Sequence, residues 1–220
     1  MNTFIDLFAG GGMWTVGLGP DWSCVLANDF CPKKERGYIE NWGSGNFVGG
    51  DLGAISVDLF PAVDLMAASP PCQDLSLAGL GAGFGTDTVT PETRSGCFYL
   101  MLAKLEALKA AGRLPKLVVL ENVAGGLSRD GVLESFVAGL TGIGYRAGAV
   151  VMNAALFVPQ SRNRLFIVCV RNDIEIPASL IGAGFDPIWH PPALVRAFTA
   201  LPEAVRTMSW IPRRTLYRSV

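Results

Sequence analysis

The chain has 220 residues, of which half are hydrophobic and 17% are charged, and its net charge is −1. This length suits one well-buried domain, and the composition is typical of a compact, enzyme-like domain rather than a disordered or fibrous chain. The longest run without a charged residue has 15 residues, whereas a membrane-spanning helix needs about 20 apolar residues. The N-terminus lacks a basic patch ahead of an apolar stretch. We therefore expect a cytoplasmic protein without a signal peptide or membrane contact.

The five cysteines are scattered along the chain without a Cys-x-x-Cys pair, and His190 is the single histidine. This pattern argues against a disulfide framework and against a zinc site. Charge is unevenly distributed, because the segment from Ile188 onward holds five arginines and one glutamate, a net +4 that leaves −5 for the remainder. A soluble surface tail is the simpler interpretation, and a segment that contacts nucleic-acid phosphates is the more specific one.

Short apolar runs that end in polar or turn residues predict seven strands. They cover residues 3–8, 23–27, 47–48, 63–68, 116–120, 145–152 and 165–170. Between them, helical patterns begin at Met13 and at Pro32, with Tyr38 and Trp42 spaced to lie on one face. Longer helices are predicted over 95–111 and 131–140, the first with a stripe of Phe98, Leu102, Leu105 and Leu108. A segment rich in Gly and Thr, 75–90, is predicted to be a long loop.

Alternating strands and helices predict an α/β fold with an open, mostly parallel sheet and helices on both faces. Ligands of such sheets bind beyond the carboxyl ends of the strands. The chemically interesting residues all fall at those ends in this prediction. They are Gly10, Asp29, Asp51, Pro71, Cys72 and Glu121.

The glycine turn after the first strand predicts a site for a nucleotide-like ligand. Gly10 and Gly12 let the backbone approach such a ligand, and Asp29, about 20 residues on, suits ribose hydroxyls. A tight connection without a ligand is the alternative for the turn. A Gly-x-Gly-x-x-Gly fingerprint would need a third glycine where Thr15 stands, so an adenosine cofactor without pyrophosphate fits better than NAD. Asp51 could accept from an adenine amino group.

Two aromatic side chains, Phe8 and Phe30, could stack on the same ring, although core packing is the commoner fate of a phenylalanine. Cys72 follows a buried strand and two stiffening prolines, which places it for nucleophilic attack, whereas most buried cysteines are inert. Glu121 could serve as a proton donor or hydrogen-bond partner. Arg162 and Arg164 enter a strand at alternate positions, so we expect both to point to one side.

Taken in chain order, these motifs resemble those of the DNA cytosine-5 methyltransferase family. The matching segments are Asp-Leu-Phe-Ala-Gly-Gly-Gly at 6–12, Asn-Asp-Phe at 28–30, Gly-Asp-Leu at 50–52, Pro-Pro-Cys-Gln at 70–73, Glu-Asn-Val at 121–123 and Gln-x-Arg-x-Arg at 160–164. The resemblance implies a Rossmann-like class I methyltransferase domain over 1–175 and a partial target-recognition region or basic tail over 176–220. It implies S-adenosylmethionine as cofactor and double-stranded DNA as partner. The cofactor-binding residues would be Phe8, Gly10, Gly12, Asp29, Phe30, Asp51 and Pro71.

The resemblance also implies a mechanism in which the target cytosine is rotated out of the duplex. The Cys72 thiolate would add to C6, Glu121 would bond N3 and the exocyclic amine, and Arg164 would contact the ring carbonyl. Arg162 would steady the site. After methyl transfer to C5, loss of the C5 proton and release of Cys72 would restore the ring.

Three departures from the family pattern stand out. Met13 occupies a position where the family often has glycine, and Asp29 replaces the commoner glutamate. Only 49 residues follow Arg171, too few for a complete recognition region and the closing segment that follows it. We therefore expect either a second polypeptide that supplies these parts or a truncated remnant. A tRNA cytosine-5 methyltransferase and a non-catalytic domain that binds DNA or cofactor are the alternatives, and the sequence leaves restriction protection and regulation equally open.

Overall fold

A computed structural model of the chain describes residues 1–71, 96–125, 132–181 and 184–206. The chain divides into two compact units, Met1–Leu120 and Glu121–Val220. The boundary predicted near residue 175 separates a catalytic domain from a recognition region or basic tail. The division into compact units does not test it, so it stays a prediction. Among the described residues, no helix is long and apolar enough to cross a membrane.

The first unit is built on parallel strands. β1 pairs with β2 on one side and with β4 on the other, β2 pairs with β3, and β4 pairs with β5, all in parallel. Their bounds are Asn2–Leu7 for β1, Trp22–Asp29 for β2, Phe47–Gly49 for β3, Leu65–Ala68 for β4 and Leu117–Val123 for β5. β4 is buried along its whole length, LMAA, as expected for a strand covered on both faces.

In its described residues, the first unit has three α-helices: α1 over Met13–Leu18, α2 over Pro32–Trp42 and α3 over Gly96–Ala110. Pro32 occupies the first turn of α2, where its missing N–H costs nothing. In α3 the buried positions are Phe98, Met101, Leu105 and Leu108. Met101 is thus the buried member of the stripe where Leu102 was predicted, because residues i, i+3, i+7 and i+10 share a face with period 3.6.

The described part of the second unit holds an antiparallel pair of strands, β6 and β7, together with two α-helices. The bounds are Val132–Ile143 for α4, Tyr145–Asn153 for β6, Asn163–Arg171 for β7 and Pro192–Thr199 for α5. β6 and β7 pair from Tyr145↔Arg171 to Asn153↔Asn163 without a bulge. The strand order of the sheet is β3-β2-β1-β4-β5-β7-β6. The predicted mostly parallel sheet with alternating helices is therefore confirmed.

Two predicted boundaries were wrong by several residues. β5 continues through Glu121 to Val123, because its residues keep an alternating pattern of burial and Asn122 takes a buried position. α4 continues to Ile143, where the prediction ended at residue 140. In β5 the polar residue Asn122 is itself buried, and in α4 the helix continues past a polar and a small residue to the buried Ile143.

The glycine turn after β1 is shaped by left-handed backbone at Gly10 (φ +57°) and Gly12 (φ +80°). A Cβ built on Gly12 would lie 2.3 Å from Trp42 Nε1 and 3.1 Å from Tyr38 Cε2. Trp42 Nε1 also donates to the Gly11 carbonyl at 3.0 Å. The face of α2 that carries Tyr38 and Trp42 therefore packs against this turn, and only glycine fits at position 12.

We predict that Gly12→Ala lowers the free energy of unfolding by about 2–5 kcal/mol. Left-handed backbone costs an alanine about 1–2 kcal/mol, and the overlap with Trp42 adds about 1–3 kcal/mol. Gly10→Ala should lose only the backbone part, because nothing lies within 4 Å of its Cβ. Gly11→Ala is the control, since Gly11 has neither constraint. Urea unfolding checks the series, and equal losses for Gly12→Ala and Gly11→Ala would contradict this account of the turn.

Candidate active site

The carboxylate of Asp29, at the end of β2, binds three donors. Its Oδ2 accepts from Gly10 N at 3.1 Å and from Lys34 Nζ at 3.3 Å, and its Oδ1 accepts from Cys31 N at 3.0 Å. Asp29 is only 2% exposed, and a buried carboxylate needs such charge-assisted bonds to offset its desolvation. Asp29 thus ties the glycine turn to the start of α2.

The two phenylalanines predicted to stack on the cofactor, Phe8 and Phe30, each have an unusual feature. Phe8 has a φ of +59° and is the one described non-glycine residue with left-handed backbone. A bulky residue rarely adopts this conformation, and such strain concentrates at functional sites. Phe30 follows Asp29 directly and is 66% exposed. Its ring is therefore accessible to a planar ligand.

Asn28 organises the segment that carries Asp51. Its buried side-chain amide donates to Val48 O at 2.8 Å and to Gly50 O at 3.0 Å. Asp51 Oδ1 accepts from Gly53 N at 2.8 Å. In the sequence Asn28 stands out only as part of the Asn-Asp-Phe motif, because its bonds reach backbone 20 and 22 residues further along the chain.

Asp6 is a second buried acid, in the middle of the sheet, and it was not predicted to have a role. It is fully buried in β1, and within the described chain neither carboxylate oxygen has a hydrogen-bond partner. Burial, together with the negative charge of nearby Asp29, raises the pKa of Asp6 to about 7. A positive charge nearby would lower this pKa again and favour the ionised carboxylate.

The segment leading to the predicted nucleophile is held at Ser69. Ser69 N donates to Leu7 O at 3.2 Å, and its Oγ accepts from Trp14 Nε1 at 3.0 Å. Pro71 is half-buried. Cys72, Gln73 and the predicted loop at 75–90 lie outside the described residues.

The second unit brings two predicted residues together. Arg164 Nε lies 2.6 Å from Glu121 Oε1, and about a quarter of each side chain is exposed. Arg162 has an exposed side chain. β7 begins at Asn163, so the period-two argument that both arginines point to one side applies to Arg164 and not to Arg162.

The predicted basic tail is only partly described. Arg206 Nη2 donates to Thr199 O at 3.0 Å and to Leu201 O at 2.8 Å, so this arginine caps the end of α5. Arg213, Arg214 and Arg218 lie beyond the last described residue. Phosphate contact by this segment stays a prediction.

Parallel strands with a glycine turn after β1 and acids at the ends of β2 and β3 are the features of a Rossmann-like class I methyltransferase. The solved structures agree with this fold. Dnmt2 methyltransferase from S. pombe superposes with a TM-score of 0.63 at 23% identity, over 80% of this chain and 53% of that one. A DNMT2 mutant from Spodoptera frugiperda gives 0.62 at 20% identity, over 84% and 61%.

A family model described as C-5 cytosine-specific DNA methylase matches residues 2–194, so the chain belongs to this family. Type II methyltransferase M.HhaI of Haemophilus parahaemolyticus is 31% identical over 79% of this chain and 50% of its own length. M.Eco47II of Escherichia coli is 35% identical over 78% and 40%. The chain thus spans about half the length of these curated relatives. The resemblance found in the sequence is confirmed.

We predict that Asp6→Asn weakens the pH dependence of stability. An unfolded aspartate titrates near 3.8 and folded Asp6 near 7, so stability contributed by protonated Asp6 is complete below about pH 4 and is lost as pH rises to about 7. About three pKa units correspond to about 4 kcal/mol. The variant minus wild-type difference in unfolding free energy should therefore rise by about this amount between pH 4 and pH 8.

Urea unfolding without added ligand, at several pH values, measures this difference. Asp21→Asn, at an exposed aspartate, is the control and should leave the shape of the profile unchanged. Parallel profiles for wild type and Asp6→Asn would show that Asp6 does not titrate in this range.

Proposed function

We propose that this chain is the catalytic part of a DNA (cytosine-5-)-methyltransferase that uses S-adenosylmethionine and acts on double-stranded DNA. The observation that carries the proposal is the 2.6 Å pair between Glu121 and Arg164. It joins the acid of the Glu-Asn-Val motif to the last arginine of the Gln-x-Arg-x-Arg motif in a chain of the C-5 cytosine-specific DNA methylase family.

The residues of the first unit fit S-adenosylmethionine, which carries a sulfonium cation and an adenosine without pyrophosphate. Gly10 and Gly12 supply the turn, and Phe8 and Phe30 supply aromatic surface. Asp29 and Asp51 offer carboxylate oxygens for ribose hydroxyls and the adenine amino group, and Pro71 would complete the pocket wall. A bound cation would favour the ionised form of Asp6, whose carboxylate oxygens have no hydrogen-bond partner among the described residues. When bound, the cofactor would supply an electrophilic methyl group.

Cys72 would act as the nucleophile. Its thiolate forms a bond to C6 of cytosine, and the electron pair of the C5–C6 double bond becomes available at C5. Glu121 would hold N3 and the exocyclic amine, which stabilises the charge created by the addition. C5 then takes the methyl group, the C5 proton leaves to a base that is not identified, and the C6–sulfur bond breaks to release the thiolate.

The arginines would hold the base and its surroundings. Arg164, oriented by Glu121, would donate to the ring carbonyl of cytosine, since a guanidinium presents several donors in a fixed plane. Arg162, with an exposed side chain, would steady the site through a phosphate or the ring. The second polypeptide expected from the sequence is not supported by the comparisons and stays a prediction, as do a cytoplasmic location and a role in restriction protection.

We predict that the chain transfers a labelled methyl group from S-adenosylmethionine to C5 of cytosine in duplex DNA, and that Cys72→Ala abolishes the transfer. Mass spectrometry of digested DNA for 5-methylcytosine measures it. Cys97→Ala, at a partly buried cysteine of α3, is the matched control and should remain active. DNA with 5-fluorocytosine should trap wild-type protein covalently, because fluorine blocks the final elimination.

Three outcomes separate the alternatives. Turnover that survives Cys72→Ala would contradict the mechanism. Methyl transfer to tRNA but not to duplex DNA would favour the RNA-directed branch of the family. Cofactor binding without transfer to either nucleic acid would favour the non-catalytic domain.

A further inference from the structure

The loop between β6 and β7 leads directly into the arginine motif, and one side chain holds both ends of this loop. Asn153 is the last residue of β6 and pairs in register with Asn163. Its Oδ1 accepts from Ala155 N at 2.9 Å and from Arg162 N at 3.0 Å. Its Nδ2 donates to Ser161 Oγ at 3.2 Å. A single amide thus connects Ala155, near the start of the loop, to Ser161 and Arg162 at its end.

The backbone of Arg162 is bound on both sides as a result. Its N–H donates to Asn153, and its carbonyl accepts from Ala154 N at 3.0 Å. The side chain is exposed. The backbone of Arg162 is therefore held by one side-chain bond and one backbone bond, although this residue lies outside β7, and its side chain extends from this anchored backbone.

We propose that Asn153 is a positioning residue for the arginine motif, acting through the backbone of Arg162. This inference rests on the proposed function. An amide suits the task because its oxygen accepts two N–H groups at once while its nitrogen donates to a hydroxyl. Without this side chain water would satisfy both N–H groups, and the loop would regain conformational freedom that has to be lost again when substrate binds.

The first test compares Asn153→Ala with Asn153→Asp. Alanine removes both acceptor bonds and should lower kcat/KM for DNA about 10- to 100-fold, the size of effect expected from a small misplacement of a substrate-holding group. Aspartate keeps the acceptor oxygen and can accept from the Ser161 hydroxyl, so it should restore most of the activity. The dissociation constant of S-adenosylmethionine should be unchanged in both variants. Asn172→Ala, an exposed asparagine just after β7, is the matched control and should behave as wild type.

A double-mutant cycle distinguishes positioning from a general structural role. If Asn153 acts through Arg162, Asn153→Ala should cost nothing further in the Arg162→Ala background. Additive losses, or an Asn153→Asp variant as impaired as Asn153→Ala, would overturn the inference.

Hydrogen exchange at the Arg162 amide gives a readout that needs no turnover. Exchange should be slow in wild type and in Asn153→Asp and at least about tenfold faster in Asn153→Ala, because a tenfold change follows from losing a net bond of about 1.4 kcal/mol. Unchanged exchange in Asn153→Ala would overturn the link between Asn153 and Arg162. Absence of methyl transfer by wild-type protein, with exchange behaving as expected, would contradict the proposed function and leave this link supported.

Discussion

The bonds of the Asp29 carboxylate hold together the strand ends on which the candidate pocket depends. A glycine turn in left-handed backbone cannot satisfy its peptide groups through sheet pairing, so another group has to accept from it. Asp29 accepts from Gly10 N and from Cys31 N at the start of α2. The carbonyl of Asn28 accepts from Ala9 N at 2.9 Å. Two adjacent polar residues at the end of β2 therefore fix the turn after β1.

This bracing role is compatible with the ribose contact predicted for Asp29. A carboxylate offers about four acceptor positions, and three are occupied, two on Oδ2 and one on Oδ1. One position on Oδ1 remains for a ribose hydroxyl. The charge of Asp29 also acts on Asp6, since it favours the protonated form of that buried neighbour. A cationic ligand would favour the ionised form of Asp6, so the protonation of Asp6 would depend on the charge of the ligand.

Much of the fold could be predicted because most apolar runs of the sequence end within two residues of the end of a strand. The strands before Gly10, Asp51 and Ser69 follow this rule, since buried strands read as continuous apolar runs. It fails for β5, where Glu121 and Asn122 extend the strand. In β5 the alternating burial of a pleated strand continues past the apolar run, and Asn122 lies on the buried side. Composition within a short window cannot distinguish a polar residue that ends a strand from one that continues it.

The site was predictable as a set of motifs but not as a set of contacts. Glu121 and Arg164 each lie on the less buried face of their strand. The alternation of side chains along a strand therefore predicts the face on which each lies, but it does not predict that the two side chains pair with each other. For Arg162 the same reasoning does not suffice, because β7 begins one residue later and the backbone of Arg162 is held by bonds to Asn153 and Ala154. Local sequence patterns predict the burial of residues in regular strands and helices, because burial there repeats with the period of the backbone. Where a side chain from a distant point in the chain satisfies the backbone, as Asn153 and Asp29 do, the determining interaction has no local signature.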